Sequence, residues 1–291
     1  PPPATEACGR PGMRHLPLPA VTLSEADRQR SPLSQRSTRT AETIGVLPLV
    51  LKWQTLPGAG TATALQRLSL RQQIMDRITL TGFEVASVMA ELNCEDERND
   101  QLRDRLLSQE NNRLRKLTVA GMVIGAATAI STGALSLANQ ANAANIVSML
   151  GGVSEVGVGI AALDDDNKGE LRHRRNILAN VWHEKADQDI FPPVVWNYLT
   201  TRPDSSHPTV RENLIALWRG SGRLGEPGSE EEQRRSALLF GAGGDYNAAE
   251  LKTRETLLDL LEAHVSLLNQ DVAELTTELL MLMENPAAGR P

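Results

Sequence analysis

The sequence predicts an all-α fold: an elongated helical bundle or coiled coil carrying an Ala/Gly-rich hydrophobic helical hairpin. Three observations carry that prediction. Aromatic residues make up only 3% of the 291 residues, so a core must be built from Leu, Val, Ile, Met and Ala, which suits helices better than sheets. From Thr61 onward no proline occurs until Pro192, and apolar residues recur near helical spacing. Near the C-terminus, Leu258, Leu261, Val265, Leu268, Val272, Leu275, Leu279 and Leu282 alternate steps of three and four, which is a heptad seam.

Residues 1–60 are expected to be largely disordered. "PPPATEACGRPGMRHLPLP" and "RQRSPLSQRSTRT" are rich in Pro, Arg, Ser and Thr and lack apolar periodicity. "SEAD" at Ser24–Asp27 can cap a short helix, and "VLPLVLKWQTLPGAG" offers apolar residues that dock on the folded part. The chain begins at Pro1 without an initiator Met, as a processed terminus would, so no targeting signal is read from it.

Residues 61–116 read as one long helix, or two collinear ones, ending near Lys116. Leu65, Leu68, Met75, Ile78, Val85, Val88, Met89 and Leu92 supply its first apolar face. Beyond Asn93 the stripe shrinks to Leu102, Leu106 and Leu107, and a helix that polar is mostly solvated.

Residues 117–163 form the hydrophobic hairpin. No charged residue occurs from Leu117 to Ser154, and "ANQANAAN" is the turn between two arms of about bilayer length. Eight strongly apolar residues in the first arm favour insertion by roughly 2–5 kcal/mol, opposed by Ser, Thr and Gly. In the second arm Glu155 alone opposes insertion by about 3 kcal/mol if charged at mid-bilayer. Neither arm is therefore a self-sufficient anchor. Gly121, Gly125, Ala129 and Gly133 are four apart and line one stripe, as do the pairs Ser148 with Gly152 and Gly157 with Ala161 on the second arm. Small residues so spaced let helices approach closely, in a membrane or in a soluble bundle. Arg113, Arg115 and Lys116 precede the hairpin, and Lys168, Arg172, Arg174 and Arg175 follow it. In a membrane both basic flanks would meet headgroups on one side. In a soluble bundle they are solvated helix faces.

Residues 164–240 read as short helices and loops. "KGELRHRRNILANVWHEK", "PPVVWNYLTT" and "HPTVRENLIALWRG" are helical, and "SEEE" at Ser229–Glu232 is a capping box for "QRRSALLF". Residues 241–285 hold the heptad helix, which Asp245 or Asn247 can cap. Leu251 extends the register backward with Arg254 in the matching slot, and Leu257, Leu260, Leu267 and Met281 widen the face as in a bundle. Residues 286–291 are a tail.

"AELNCEDERNDQLRDRLL", "NRLRKLTVAGMVIGAATAI", "RRNILANVWHEK" and "FPPVVWNYL" together resemble a family of Gram-negative bacterial envelope proteins with no assigned activity. The resemblance covers roughly Ile74 to Leu282 and leaves out the first sixty residues. It implies an envelope location.

The net charge of -6 argues against a nucleic-acid partner. Membrane lipid, further copies of the chain and a protein bound through helices remain the candidate partners. Two cysteines, Cys8 and Cys94, make neither a disulfide framework nor a zinc site. They pair if the chain is exported, or Cys8 stays free.

Catalytic, metal and cofactor signatures are not found. "DDDNKGE" fails as a calcium loop, because Lys168 falls at the fifth position and Arg175 at the twelfth, where a bidentate Glu is needed. "FGAGGDY" lacks the Lys and Ser/Thr of a phosphate loop and reads as a hinge before the last helix. No second His follows His183-Glu184 at zincin spacing. The expectation is a non-enzymatic envelope-associated protein that docks or inserts its hairpin in a membrane, as an oligomer. The alternative is a soluble structural or adaptor protein whose hairpin is buried against partner helices.

Overall fold

The computed structural model describes residues 8, 14–19, 23–57, 60–137, 167–204 and 206–284, with the backbone alone at 114 and 117–137. The protein is mostly helical, as the composition predicts. It divides into two compact units. The first comprises Pro1–Arg98, Arg172–Gly243 and Thr253–Pro291; the second comprises Asn99–Leu171 and Gly244–Lys252.

In the first unit, the segment expected to be disordered folds into three helices: α1 (Glu25–Gln29), α2 (Gln35–Thr43) and α3 (Leu47–Thr55). Ser24 caps α1 through a reciprocal capping box with Asp27. Ala41, Ile44, Val46, Leu47, Val50 and Trp53 are buried, so the apolar residues lie inside the core rather than on a tether. The polar composition of the surrounding stretch hid them. α2 is anchored to distant chain: Ser34 and Ser37 hydroxyls donate to Glu278 at 2.6 and 2.7 Å.

α4 runs from Thr61 to Leu137 over 77 residues. The end expected near Lys116 is not there; the backbone stays helical into the uncharged stretch. No residue between Thr61 and Leu137 is a proline, so no i→i−4 bond is lost by sequence. The remainder of the expected hairpin, 138–163, lies outside the described residues.

Of the apolar residues assigned to the first face of α4, Ile78, Val85, Val88 and Leu92 are buried, with Leu70 and Ile74 beside them. Leu65 and Leu68 are exposed at 64% and 61%. The periodic pattern therefore merged two columns of one helix, an inner and an outer one.

The stretch read as a helix from Lys168 begins instead with strand β1 (Gly169–Arg172) and becomes helical only in α5 (Ile177–His183). α6 (Pro193–Thr200), α7 (Val210–Gly220) and α8 (Glu230–Phe240) follow where the sequence places them. Ser229 caps α8, but the Glu232 carboxylate returns to the Gly228 amide instead of closing the box on Ser229. Trp182, Phe240 and Trp218 stack in series, with ring centroids 4.2 and 5.7 Å apart, which packs α5, α7 and α8 together.

The expected hinge "FGAGGDY" contributes β2 (Gly243–Tyr246), paired with β1 in a two-stranded sheet. α9 then runs from Ala248 to Glu284. Asn247 accepts from the Glu250 amide at 2.8 Å and its own amide donates to Glu250 at 3.0 Å, a capping-box exchange. Every heptad position from Leu251 to Leu279 is buried, Arg254 included, and Leu282 is half-buried. Of the residues expected to widen the face, Leu257 is buried while Leu267 and Met281 are exposed.

Candidate functional site

The buried face of α4 carries charge. Glu91 and Glu95 lie on the same column as Val88 and Leu92, and all four are buried. Isolated charges there are too costly to persist, and each carboxylate has cationic company. Arg254 Nη2 of α9 lies 2.7 Å from Glu95 Oε2, and Arg98 Nη1 lies 2.9 Å from Glu95 Oε1. Arg175 Nη2 lies 3.3 Å from Glu91 Oε2 and also donates to the Asp189 carbonyl. His173 Nδ1 lies 3.9 Å from Glu95 Oε2.

Protonation follows from burial. Burial pushes the Glu91 carboxyl up to about 7, against the pull of Arg175 and with the repulsion of Glu95 and Asp187. Burial, then the positive charges of Arg254 and Arg98, pushes His173 down to about 2. His173 is thus neutral beside Glu95, and the contact is not an ion pair at neutral pH. The Glu95 side chain is only 5% exposed, so the cluster ties α4 to α9 through a buried contact. Glu91, at about 7, therefore changes charge near neutral pH.

One surface turn imitates catalytic chemistry. His207 Nδ1 lies 2.7 and 2.9 Å from the two Asp204 oxygens and 3.4 Å from Ser206 Oγ. A nucleophile triad needs Ser on one ring nitrogen and the carboxylate on the other; here one nitrogen serves both. Hydrogen bonds from Ser206, then His207, hold the Asp204 carboxyl well below the usual carboxylate range, as in a closed turn. Among the described residues, no group of three or more His, Cys, Asp or Glu is placed to hold a metal ion.

An open groove of about 1620 Å³ runs between α1, α2, the α6–α7 connection and α9. Its arginines are matched: Arg28 with Glu42 at 2.8 Å, Arg36 with Glu274 at 3.4 Å and Arg39 with Asp204 at 3.5 Å. The lining also holds Arg202, Glu25 and Asp271, and Arg202 pairs with Glu212 outside it.

The sequence-predicted residues fall as follows. Gly121, Gly125, Ala129 and Gly133 lie on α4 one turn apart. Ser148, Gly152, Gly157 and Ala161 lie outside the described residues. Arg113, Arg115 and Lys116 are exposed on α4, and Arg172 and Arg174 are exposed at and after β1. Arg175 is not a free flank residue, because Glu91 takes it up. Cys8 and Cys94 form a disulfide that closes 86 residues of chain, which resolves the alternative left open in favour of pairing. His15 Nδ1 at 3.2 Å from Glu84 and the Arg77 guanidinium on the Pro17 carbonyl hold the following segment to the same helix.

The buried cluster was missed from sequence, although two signals for it existed. Arg254 occupies a heptad slot, and Glu84, Glu91 and Glu95 fall inside the inner column of α4. Among the described residues, no helix is long and apolar enough to cross a membrane. Comparisons with protein-family models, with curated proteins and with solved structures give no match.

Proposed function

We propose that this chain is a non-enzymatic envelope protein. A disulfide-stapled helical body presents the uncharged end of α4, which docks in a membrane, with copies packing through the glycine stripe. The observation that supports this most is the continuity of α4. It carries exposed Arg113, Arg115 and Lys116 and then remains helical through an uncharged stretch to Leu137. Cations just before an apolar segment suit a headgroup boundary. The Cys8–Cys94 disulfide suits an oxidising compartment such as a bacterial envelope. On this reading α4 and α9 pair as bundle helices, since the heptad column of α9 is buried along its length.

A second reading keeps the same architecture and buries 117–137 against partner helices. The four-residue spacing of Gly121, Gly125, Ala129 and Gly133 favours close helix contact in either solvent. Liposome co-flotation separates the two. The test compares wild type with a Gly125→Leu/Gly133→Leu double variant. Under the membrane reading wild type floats, and the variant floats but no longer self-associates in lipid. Wild type remaining at the bottom of the gradient would sink the membrane reading.

A further inference from the structure

Cys8 and residues 14–19 lie against α4 as a strap rather than as core. No apolar residue of 14–19 is buried: Leu16 is 59% exposed, Pro17 and Pro19 are exposed, and Leu18 is half-buried. A segment of that kind gains little from the hydrophobic effect, so its hold is polar and covalent. His15 Nδ1 lies 3.2 Å from the buried Glu84 carboxylate, and the Arg77 guanidinium donates to the Pro17 carbonyl at 3.3 Å. Pro19 rests on Gly45, where a Cβ would meet the proline Cδ at 2.5 Å. The covalent hold is the Cys8–Cys94 bond.

The two ends of that bond differ. Cys94 is on α4, one residue before Glu95, which Arg254 and Arg98 fix in place. Cys8 belongs to the strap. Neither cysteine is buried, which leaves the bond within reach of an attacking thiolate. The helices beneath have attachments that do not pass through the strap: Ser34 and Ser37 on Glu278, Arg175 on Glu91, and Arg77 Nε on the Ile44 carbonyl at 3.0 Å. Arg77 also attracts Glu84, so that carboxylate keeps a cationic neighbour without His15. Leu18 and Pro19 form part of the wall of the groove between α1, α2 and α9.

We propose that the Cys8–Cys94 disulfide is a thiol-exchange latch whose reaction partner is a dithiol. On reduction, Cys8 and residues 14–19 leave α4, Glu84 is uncovered and the groove loses the Leu18–Pro19 part of its wall, while the helices beneath stay folded. A thiolate of the dithiol attacks one of the two sulfurs, the S–S bond breaks, and the departing cysteine takes the electron pair and a proton. The dithiol's second thiolate then displaces the other cysteine. The protein gains two electrons and two protons, and the dithiol leaves as a disulfide. This inference does not involve 117–137 and does not rest on the membrane reading.

The experiment is carboxyl footprinting of the full chain, oxidised and then reduced with dithiothreitol without denaturant. Carbodiimide couples glycine ethyl ester to exposed carboxylates, and mass spectrometry reads the extent at each residue. Glu84 and Glu95 are both 4% exposed, but only Glu84 lies under the strap. On reduction, labelling of Glu84 is expected to rise at least about tenfold while that of Glu95 stays low, and reoxidation reverses the change. Cys8→Ser should show the high Glu84 labelling without reductant. A disulfide that dithiothreitol reduces only in denaturant would overturn the latch. So would Glu84 labelling that stays low once both thiols are free. A joint rise of Glu84 and Glu95 would also overturn it, because the bond would then be a staple of the whole body.

Discussion

Between Leu70 and Arg98, α4 buries an apolar column interrupted by carboxylates. Between Asn99 and Lys116, the same helix buries only Asn99 and Leu106 among its described side chains. The first stretch is fixed from outside, by the Cys8–Cys94 disulfide, by His15 on Glu84 and by Arg254 and Arg175 on Glu95 and Glu91. The second is tied by the Asn99 side-chain amide on the Leu251 carbonyl at 2.9 Å and the Asn167 side-chain amide on the Leu106 carbonyl at 2.8 Å, and relies besides on residues of good helix propensity and on local pairs such as Arg103 with Asp100 at 3.4 Å. One continuous helix is thus held by broad burial in its first stretch and, in its second, by a few backbone-directed contacts together with local preference. The two stretches should answer mutation differently.

The largest expected difference is at Arg254. Arg254→Ala leaves Glu95 buried without its shortest cationic contact and should lower stability by about 3–5 kcal/mol, read as a drop in the urea midpoint. If the loss is under about 1 kcal/mol, the cluster does not hold the first stretch. Next comes the staple. Cys94→Ser opens the 86-residue closure and should remove about 2–4 kcal/mol, with the same result for Cys8→Ser.

Neighbouring leucines then probe the second stretch directly. Leu106 is 3% exposed and Leu107 39%. Leu106→Ala should be destabilising by about 2–3 kcal/mol, and Leu107→Ala by less than about 0.5 kcal/mol. Equal effects in thermal unfolding would mean that this stretch is packed on more than one side.

The finest test is pH. Glu91 keeps its proton up to about pH 7 when folded, against an ordinary value of 4.5. The folded state holds the extra proton in that window, so this contribution is lost as pH rises through 7. His173 acts in the opposite sense. It stays neutral down to about pH 2 when folded, against an ordinary 6.5, so its contribution is lost as pH falls below 6.5. Between 4.5 and 6.5 the two slopes oppose each other. Glu91→Gln removes one of them, and from pH 6.5 to 4.5 it should lose on the order of 1–2 kcal/mol more than wild type. A Glu91→Gln profile parallel to that of wild type would show that Glu91 does not titrate in this window.

Much of this was legible in the sequence. The heptad column of α9 is written in steps of three and four, and burial follows it from Leu251 to Leu279. The start of α4, the caps at Ser24 and Asn247, and the helices α6 to α8 follow from local chemistry. The folded state of 25–55 was not legible, because its few apolar residues gain nothing until other chain covers them. The inner and outer columns of α4 were not separable either, since both repeat with the period of the helix. The charge cluster left only the indirect mark of polar residues in apolar slots.

What the sequence determined by itself is the kind of secondary structure and its phase: helix nearly throughout, α9 with one face already chosen, α4 without a proline to stop it. Those are local preferences, set within a few turns of chain. The tertiary structure alone decided which column of α4 is core, that Cys8 meets Cys94, and that Glu91 and Glu95 lie among Arg98, Arg175, Arg254 and a neutral His173. Those choices depend on which distant groups exclude water from one another, and no local window of sequence contains both sides of such a contact.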